Sequence, residues 1–217
     1  MQTVLTFSEA GGHPDNQDVV LVRQHPARLD VTIALVADGQ GGQSGGGRAA
    51  KLACQTAWEL ASESDPERLL DPLVWAYLLR QVDLAVERDA ATGFTTLVAL
   101  AVTPDRVVGV SSGDSVAIAV TVGRATEVTA GQPKNPPVGS GTAIGRMLNV
   151  PLVAPWRVAL MTDGVWKFAG LDRVLAMSQK ATPNDLLAEL QTTARRHGTG
   201  EYHDDFTLAV IDNDGRL

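Results

Sequence analysis

One stretch restricts this chain more than any other. From Val31 to Ala37 nearly every residue is apolar and strand-forming, and the run stops on a single carboxylate, Asp38. Six of the 21 glycines fall within residues 39–47, and a helix-like pattern begins straight after them. A buried strand that ends on an acid and a glycine-rich turn sets one charge at the rim of a core. Two chemistries suit such a turn. It can cradle a phosphate with backbone N–H groups, or it can present oxygen ligands to a cation.

Other aspartates repeat the setting. Asp18, Asp114, Asp163 and Asp204 also stand at strand ends beside turns, and Asp38-Gly39, Gly113-Asp114 and Asp163-Gly164 pair the acid with glycine. Any one of these reads as a turn former, and Asp15, Asp105 and Asp212 are taken as no more than that. Five together are harder to dismiss, because clustered carboxylates repel unless protonated or neutralised by cations. Hard oxygen donors suit Mg²⁺, Mn²⁺ or Ca²⁺. His13, His25, His197 and His203 are scattered, so zinc-type His/Cys spacing is absent. Two hard cations about 4 Å apart would clamp a phosphoryl group and activate water for in-line attack.

Bulk properties narrow the partners. A 217-residue chain is read as one compact domain, residues 1–217. A formal net charge of −7 argues against non-specific nucleic-acid or anionic-membrane binding. A phosphorylated substrate stays open if bound cations reverse the sign locally. Cys54 is the sole cysteine, which excludes an internal disulfide, and its Ala/Leu surroundings read as a small buried hydrophobe. The first ten residues hold no basic segment, and no apolar run approaches the roughly 18 residues a bilayer span needs. A cytoplasmic protein is the expectation.

Strand patterns are expected at Thr3–Phe7, Val19–Arg23 and Val31–Ala37, split by turn signals that favour antiparallel pairing. Two helices follow without an intervening strand, over Gly47–Ser62 and from Asp65-Pro66 to about Arg88, with a second Asp-Pro at 71–72 as a restart. Strands return at Thr95–Thr103, Val107–Ser112 and Val116–Val122. Residues 129–155 hold five of the eleven prolines and read as one long irregular, flap-like loop. A strand at Trp156–Met161, a helix from Thr182-Pro183 to His197 and a strand at Asp205–Ile211 complete the order. Consecutive helices break the alternation of a parallel doubly wound sheet, so the fold class is α+β. Trp58, Trp75, Trp156 and Trp166 are assigned to the core.

Six short segments carry a resemblance. Asn16-Gln17-Asp18, Val36-Ala37-Asp38-Gly39-Gln40-Gly41-Gly42, Thr95-Thr96-Leu97, Gly113-Asp114-Ser115, Thr162-Asp163-Gly164-Val165 and Asp204-Asp205-Phe206-Thr207 resemble, in order, the motifs of the PP2C-type metal-dependent serine/threonine protein phosphatases in their bacterial single-domain form. The resemblance implies an α-β-β-α sandwich of two mainly antiparallel sheets and a binuclear Mn²⁺/Mg²⁺ centre. Asp38 would bridge the two ions, Gly39 would offer its carbonyl to one, and Asp163 and Asp204 would complete the other. Asp18 would hold the waters around them, and Asp114 with Asp163 would hold a third ion. The implied reaction is direct hydrolysis of phosphoserine or phosphothreonine in proteins by a metal-bound hydroxide, without a phosphoenzyme. The implied partners are a phosphorylated protein substrate and a Ser/Thr kinase counterpart in signalling, and the implied state is a monomer.

The match has gaps. Where the family places an arginine for the substrate phosphate, this chain has His13. Histidine is fully charged only at lower pH, so weak phosphate binding and a pH-sensitive Michaelis constant are expected. A His13→Ala variant whose constant varies with pH as the wild type's does, over roughly pH 5.5–8, would contradict that role. Phe94 replaces a glycine, Gln40 replaces a histidine that would be a candidate general acid, and the family's Asp-His pair is missing. A catalytically weak or inactive binding module that recognises a phosphoprotein or regulatory partner is therefore the alternative. A dinucleotide-binding loop fits less well, since Ser44 stands where the third glycine belongs and no acidic strand end follows about 20 residues on.

Overall fold

The computed structural model describes residues 2–12, 14–40 and 45–213. Strands β1 (Gln2–Glu9), β2 (Asp18–His25) and β3 (Arg28–Asp38) come first, then helices α1 (Gly46–Glu63) and α2 (Pro72–Arg88). Next are β4 (Leu97–Val102), β5 (Arg106–Ser112), β6 (Val116–Thr121), β7 (Arg124–Glu127), β8 (Arg146–Pro151) and β9 (Trp156–Met161). Helices α3 (Asp163–Ala169), α4 (Leu171–Ser178) and α5 (Pro183–Ala194) precede β10 (Phe206–Asn213). Two five-stranded sheets result, ordered β1-β10-β9-β6-β7 and β2-β3-β4-β5-β8, and every strand pair is antiparallel.

The four layers follow from how the strands are written. Along β3, Ile33, Leu35 and Ala37 face Ala49 and Ala53 of α1, while Ala34 and Val36 face the other sheet. In β4 the same split separates Leu97, Ala99 and Ala101 from Val98, Leu100 and Val102. Along β10, Phe206, Leu208 and Val210 pack with Leu186 and Leu190 of α5, and Ala209 and Ile211 fill the space between sheets. Side chains alternate with period two, so a strand buried on both faces reads as an unbroken apolar run. This is the α-β-β-α sandwich.

Six elements differ from the sequence expectation. The stretch 129–155 is not irregular throughout, because Arg146–Pro151 is β8 and pairs with β5. Only Leu148 of that edge strand is fully buried, so it carries no alternation to read. Strand β7 and helices α3 and α4 were likewise unexpected. The second Asp-Pro, not the first, starts α2. Asp71 is extended and accepts from the Leu73 N–H at 2.9 Å, with Pro72 as the first helical residue. Residues Arg68–Leu70 form only a 3₁₀ turn. Helix α5 stops at Ala194 rather than His197.

Asp212 is no turn former. It lies within β10 and receives Arg157 from β9 in a bidentate pair, at 2.6 and 2.8 Å, with both residues buried. The same guanidinium donates to the carbonyls of Ser178 and Ala181, which ties the end of α4 to the sheet. Trp75 and Trp156 are fully buried, whereas Trp58 and Trp166 are half-buried. Cys54 is a buried free thiol, and burial pushes its pKa up to about 12. Among the described residues, no helix is long and apolar enough to cross a membrane.

Candidate functional site

Strand pairing sets the first two carboxylates against each other. Asp18 opens β2, Asp38 closes β3, and they are cross-strand partners. Like charges directly opposite are unfavourable, so this register needs support from elsewhere. The two threonines ahead of β4 supply it. The Asp38 N–H donates to Thr96 Oγ1 at 2.9 Å, and the Asp38 carbonyl accepts from Thr95 Oγ1 at 2.8 Å and the Thr96 N–H at 2.9 Å. Thr96 Oγ1 also bonds Ser115 Oγ at 2.7 Å, which links this clamp to the turn that carries Asp114.

The other sheet contributes through Thr162, just past β9, and Asp205, just ahead of β10. Thr162 donates to Asp18 Oδ2 at 2.7 Å and fixes that carboxylate between the sheets. Asp205 accepts from the N–H groups of Gly11 and Gln17 at 2.8 and 2.7 Å. It thereby pins the turn before β2. Two glycines are required by close approach rather than by turn shape. A Cβ on Gly39 would lie 2.3 Å from the Gly46 backbone at the start of α1, and one on Gly164 would lie 2.0 Å from the Asp205 carbonyl oxygen.

Asp38, Gly39, Asp114, Asp163 and Asp204 all line one cavity of about 640 Å³ at this end of the sandwich. Asp18 sits behind it, buried. Burial, joined by the charges of Asp18, Asp163, Asp114 and Asp204, pushes Asp38 up to about 9. Asp18 is also held well above the carboxylate range. Burial outweighs the hydrogen bonds from Thr162 and Thr207, and the charges of Asp205 and Asp163 add to it. Without cations, this end of the molecule favours protons on Asp18 and Asp38.

Two lysines face Asp114 and Asp163. Lys167 of α3 is ion-paired with Asp163, four residues earlier, and its Nζ is 3.6 Å from Asp114. Lys134 reaches Asp114 at 2.6 Å from the loop ahead of β8. Partial burial alone would lower Lys167, but its hydrogen bond to Asp163 and the charges of Asp163 and Asp114 hold it above the ordinary lysine range.

The donors fit hard divalent cations in kind. They are carboxylate oxygens and a glycine carbonyl, gathered on a cavity where burial and neighbouring negative charge push Asp38 up to about 9. Among the described residues no group of three or more His, Cys, Asp or Glu side chains is placed closely enough to hold a metal ion as it stands. Asp38, Gly39, Asp163, Asp204 and Asp114 are thus brought to one cavity. His13 lies outside the described residues. Sequence reasoning set Thr162 and Asp205 within motifs without giving them a role, and it passed over Lys134 and Lys167. A helix starting at Asp163 would have put Lys167 one turn on, whereas nothing in the sequence marks Lys134.

Comparison with solved structures finds the same architecture in bacterial serine/threonine phosphatases. Serine/threonine phosphatase Stp1 from Staphylococcus aureus is similar at 16% identity, covering 99% of this chain and 96% of that one, with a TM-score of 0.79. The Mycobacterium tuberculosis serine/threonine phosphatase PstP/Ppp matches at 20% identity, 97% and 98% coverage and a TM-score of 0.77. PppA, a key regulatory component of the T6SS in Pseudomonas aeruginosa, matches at 18% identity, 97% coverage of both chains and a TM-score of 0.75. At these identities the likeness establishes the fold. No curated protein sequence matches the chain. The chain belongs to the Stage II sporulation protein E (SpoIIE) family, whose model matches residues 30–214.

Proposed function

We propose that this protein is a metal-dependent phosphatase that hydrolyses phosphoserine and phosphothreonine in proteins. One observation carries the reading. Asp38, Asp114, Asp163 and Asp204 come from four separate turns to one cavity, where burial, joined by the neighbouring acidic charges, holds Asp38 up to about 9. Such a cavity favours cations and, once they are bound, an anionic phosphoryl group. Asp38, the Gly39 carbonyl, Asp163 and Asp204 would hold two Mn²⁺ or Mg²⁺ ions, with Asp38 between them. When bound, the ions supply Lewis-acid polarisation of the phosphoryl oxygens and acidify coordinated water.

The chain's own residues provide position and proton control. Thr95 and Thr96 fix the Asp38 backbone from both sides. Thr162 orients Asp18, whose carboxylate backs Asp38 across the strand pair and would accept protons or steady water near it. His13 would meet the substrate phosphate, as the family resemblance implies. Gln40 lines the cavity but has no ionisable proton, so the leaving group would take its proton from solvent. The substrate class is drawn from the serine/threonine phosphatases of similar fold. A phosphoprotein matched to a Ser/Thr kinase, a monomeric state and a cytoplasmic location belong to the same reading.

The test is hydrolysis of p-nitrophenyl phosphate and of a phosphothreonine peptide, each with Mn²⁺ and with EDTA. Turnover that needs Mn²⁺ and stops with EDTA is expected. Absence of any Mn²⁺-dependent turnover would defeat the enzyme reading. Mn²⁺ uptake by calorimetry without turnover would instead favour a binding module.

A further inference from the structure

The charges around the cavity are unevenly balanced. Among the described residues Asp18 and Asp38 have no ion-pair partner. Asp114 has two, Lys134 at 2.6 Å and Lys167 at 3.6 Å, and Asp163 is ion-paired with Lys167 as well. Asp114 and Asp163 belong to different turns, one after β5 and one at the start of α3, yet a single ammonium group touches both. That group is held in place. Lys167 lies 5.9 Å from the centre of the Trp166 ring, and Trp166 Nε1 donates to the Asp114 carbonyl at 2.9 Å. The side that lacks a cation is the Asp18–Asp38 side. The other side carries its own.

We propose that Lys167, assisted by Lys134, is a built-in counter-cation for Asp114 and Asp163, so that this protein holds two metal ions and Asp114 does not ligate a third. The proposal rests on the metal-dependent reading above. An ion at Asp114 must displace two ammonium groups that already meet its charge, and a lysine ammonium has three donors to satisfy the carboxylate oxygens. Asp163 would be shared, with one oxygen toward Lys167 and the other free for a metal. The lysines therefore set the metal count.

Counting bound Mn²⁺ per chain, by equilibrium dialysis with elemental analysis and by native mass spectrometry, tests this without recourse to activity. The wild type is expected to bind two ions. Lys134→Ala combined with Lys167→Met, which keeps the lysine stem's bulk, is expected to bind three, with the third at least about tenfold tighter than any third ion on the wild type, about 1.4 kcal/mol. Adding Asp114→Asn to that pair should return the count to two. Lys167→Arg in the otherwise wild-type chain should keep it at two, because it keeps the cation. A third ion on the wild type with the variant's affinity, or a count of two in the lysine variant, overturns the proposal. If the lysine variant gains no ion and the wild type shows a raised Michaelis constant only on loss of Lys167, the lysine binds substrate phosphate and the proposal is again overturned. A wild-type count of zero overturns the two-metal reading and this proposal together, so the two failures are distinguishable.

Discussion

Asp38→Asn is expected to abolish Mn²⁺-dependent hydrolysis while making the metal-free protein more stable. The loss of activity should reach about a thousandfold or more, because the variant removes the carboxylate proposed to sit between both ions and with it several kcal/mol of charge stabilisation. The gain in stability comes from linkage. Asp38 is raised to about 9 in the folded protein, first by burial and then by its acidic neighbours, while in the unfolded chain it titrates near the ordinary value. Between those two pH values the folded state binds the proton more tightly. Stability of the metal-free wild type is therefore fullest below about pH 4 as far as this group is concerned, and it falls as pH rises toward about 9. Asparagine removes that slope. A metal-free gain on the order of 2 kcal/mol is expected at pH 8, visible as a rise of roughly 4–8 °C in thermal unfolding followed by circular dichroism. Manganese should raise the wild-type midpoint and leave the variant's nearly unmoved. A variant no more stable than wild type at pH 8 in EDTA would contradict the charge reading of the site.

The second large effect lies far from the cavity. Arg157→Ala leaves the Asp212 carboxylate buried without its partner and takes a donor from the carbonyls of Ser178 and Ala181. Breaking a buried pair from one side costs about 3–5 kcal/mol, which lowers the midpoint of a protein this size by roughly 6–20 °C. The double change Arg157→Met with Asp212→Leu should recover much of that loss, since an apolar pair of similar bulk avoids the unpaired charge. Thermal scans of the single and double variants decide it. Equal losses in both would mean that the pair's charge is not what the fold depends on.

Much of this molecule is legible in its sequence because its chemistry sits where strands stop. The apolar run before Asp38 and the glycine after it survive any uncertainty about helix ends, and the same holds for Thr162-Asp163-Gly164. The purpose of those glycines was less visible. Gly39 and Gly164 are demanded by backbone passing close by, from α1 and from Asp205, which no local pattern announces. The edge strand β8 was hidden because five of its six side chains are not fully buried. Helix α3 was hidden because it is two turns long and holds a glycine at its second residue. Arg157 reads as an ordinary charge in a strand and Asp212 as a turn residue after one, and only their facing registers in β9 and β10 show them as a pair. Lys134 reaches the cavity through a loop whose path depends on the rest of the fold.

The placement of β10 has a consequence for how the molecule comes into being. It lies between β1 and β9, so the first strand of the described chain has no sheet partner until nearly the last residues are in place. Asp205 then pins Gly11 and Gln17 across separations of 194 and 188 residues. Closing so long a loop must precede the contacts that reward it, which puts this step among the slow, late events of folding. On the ribosome, Asp18 and Asp38 emerge well before Asp205, but their turn is fixed only when β10 docks. A partly made chain therefore lacks the pinned turn, and the centre is completed only after the two ends of the fold have met.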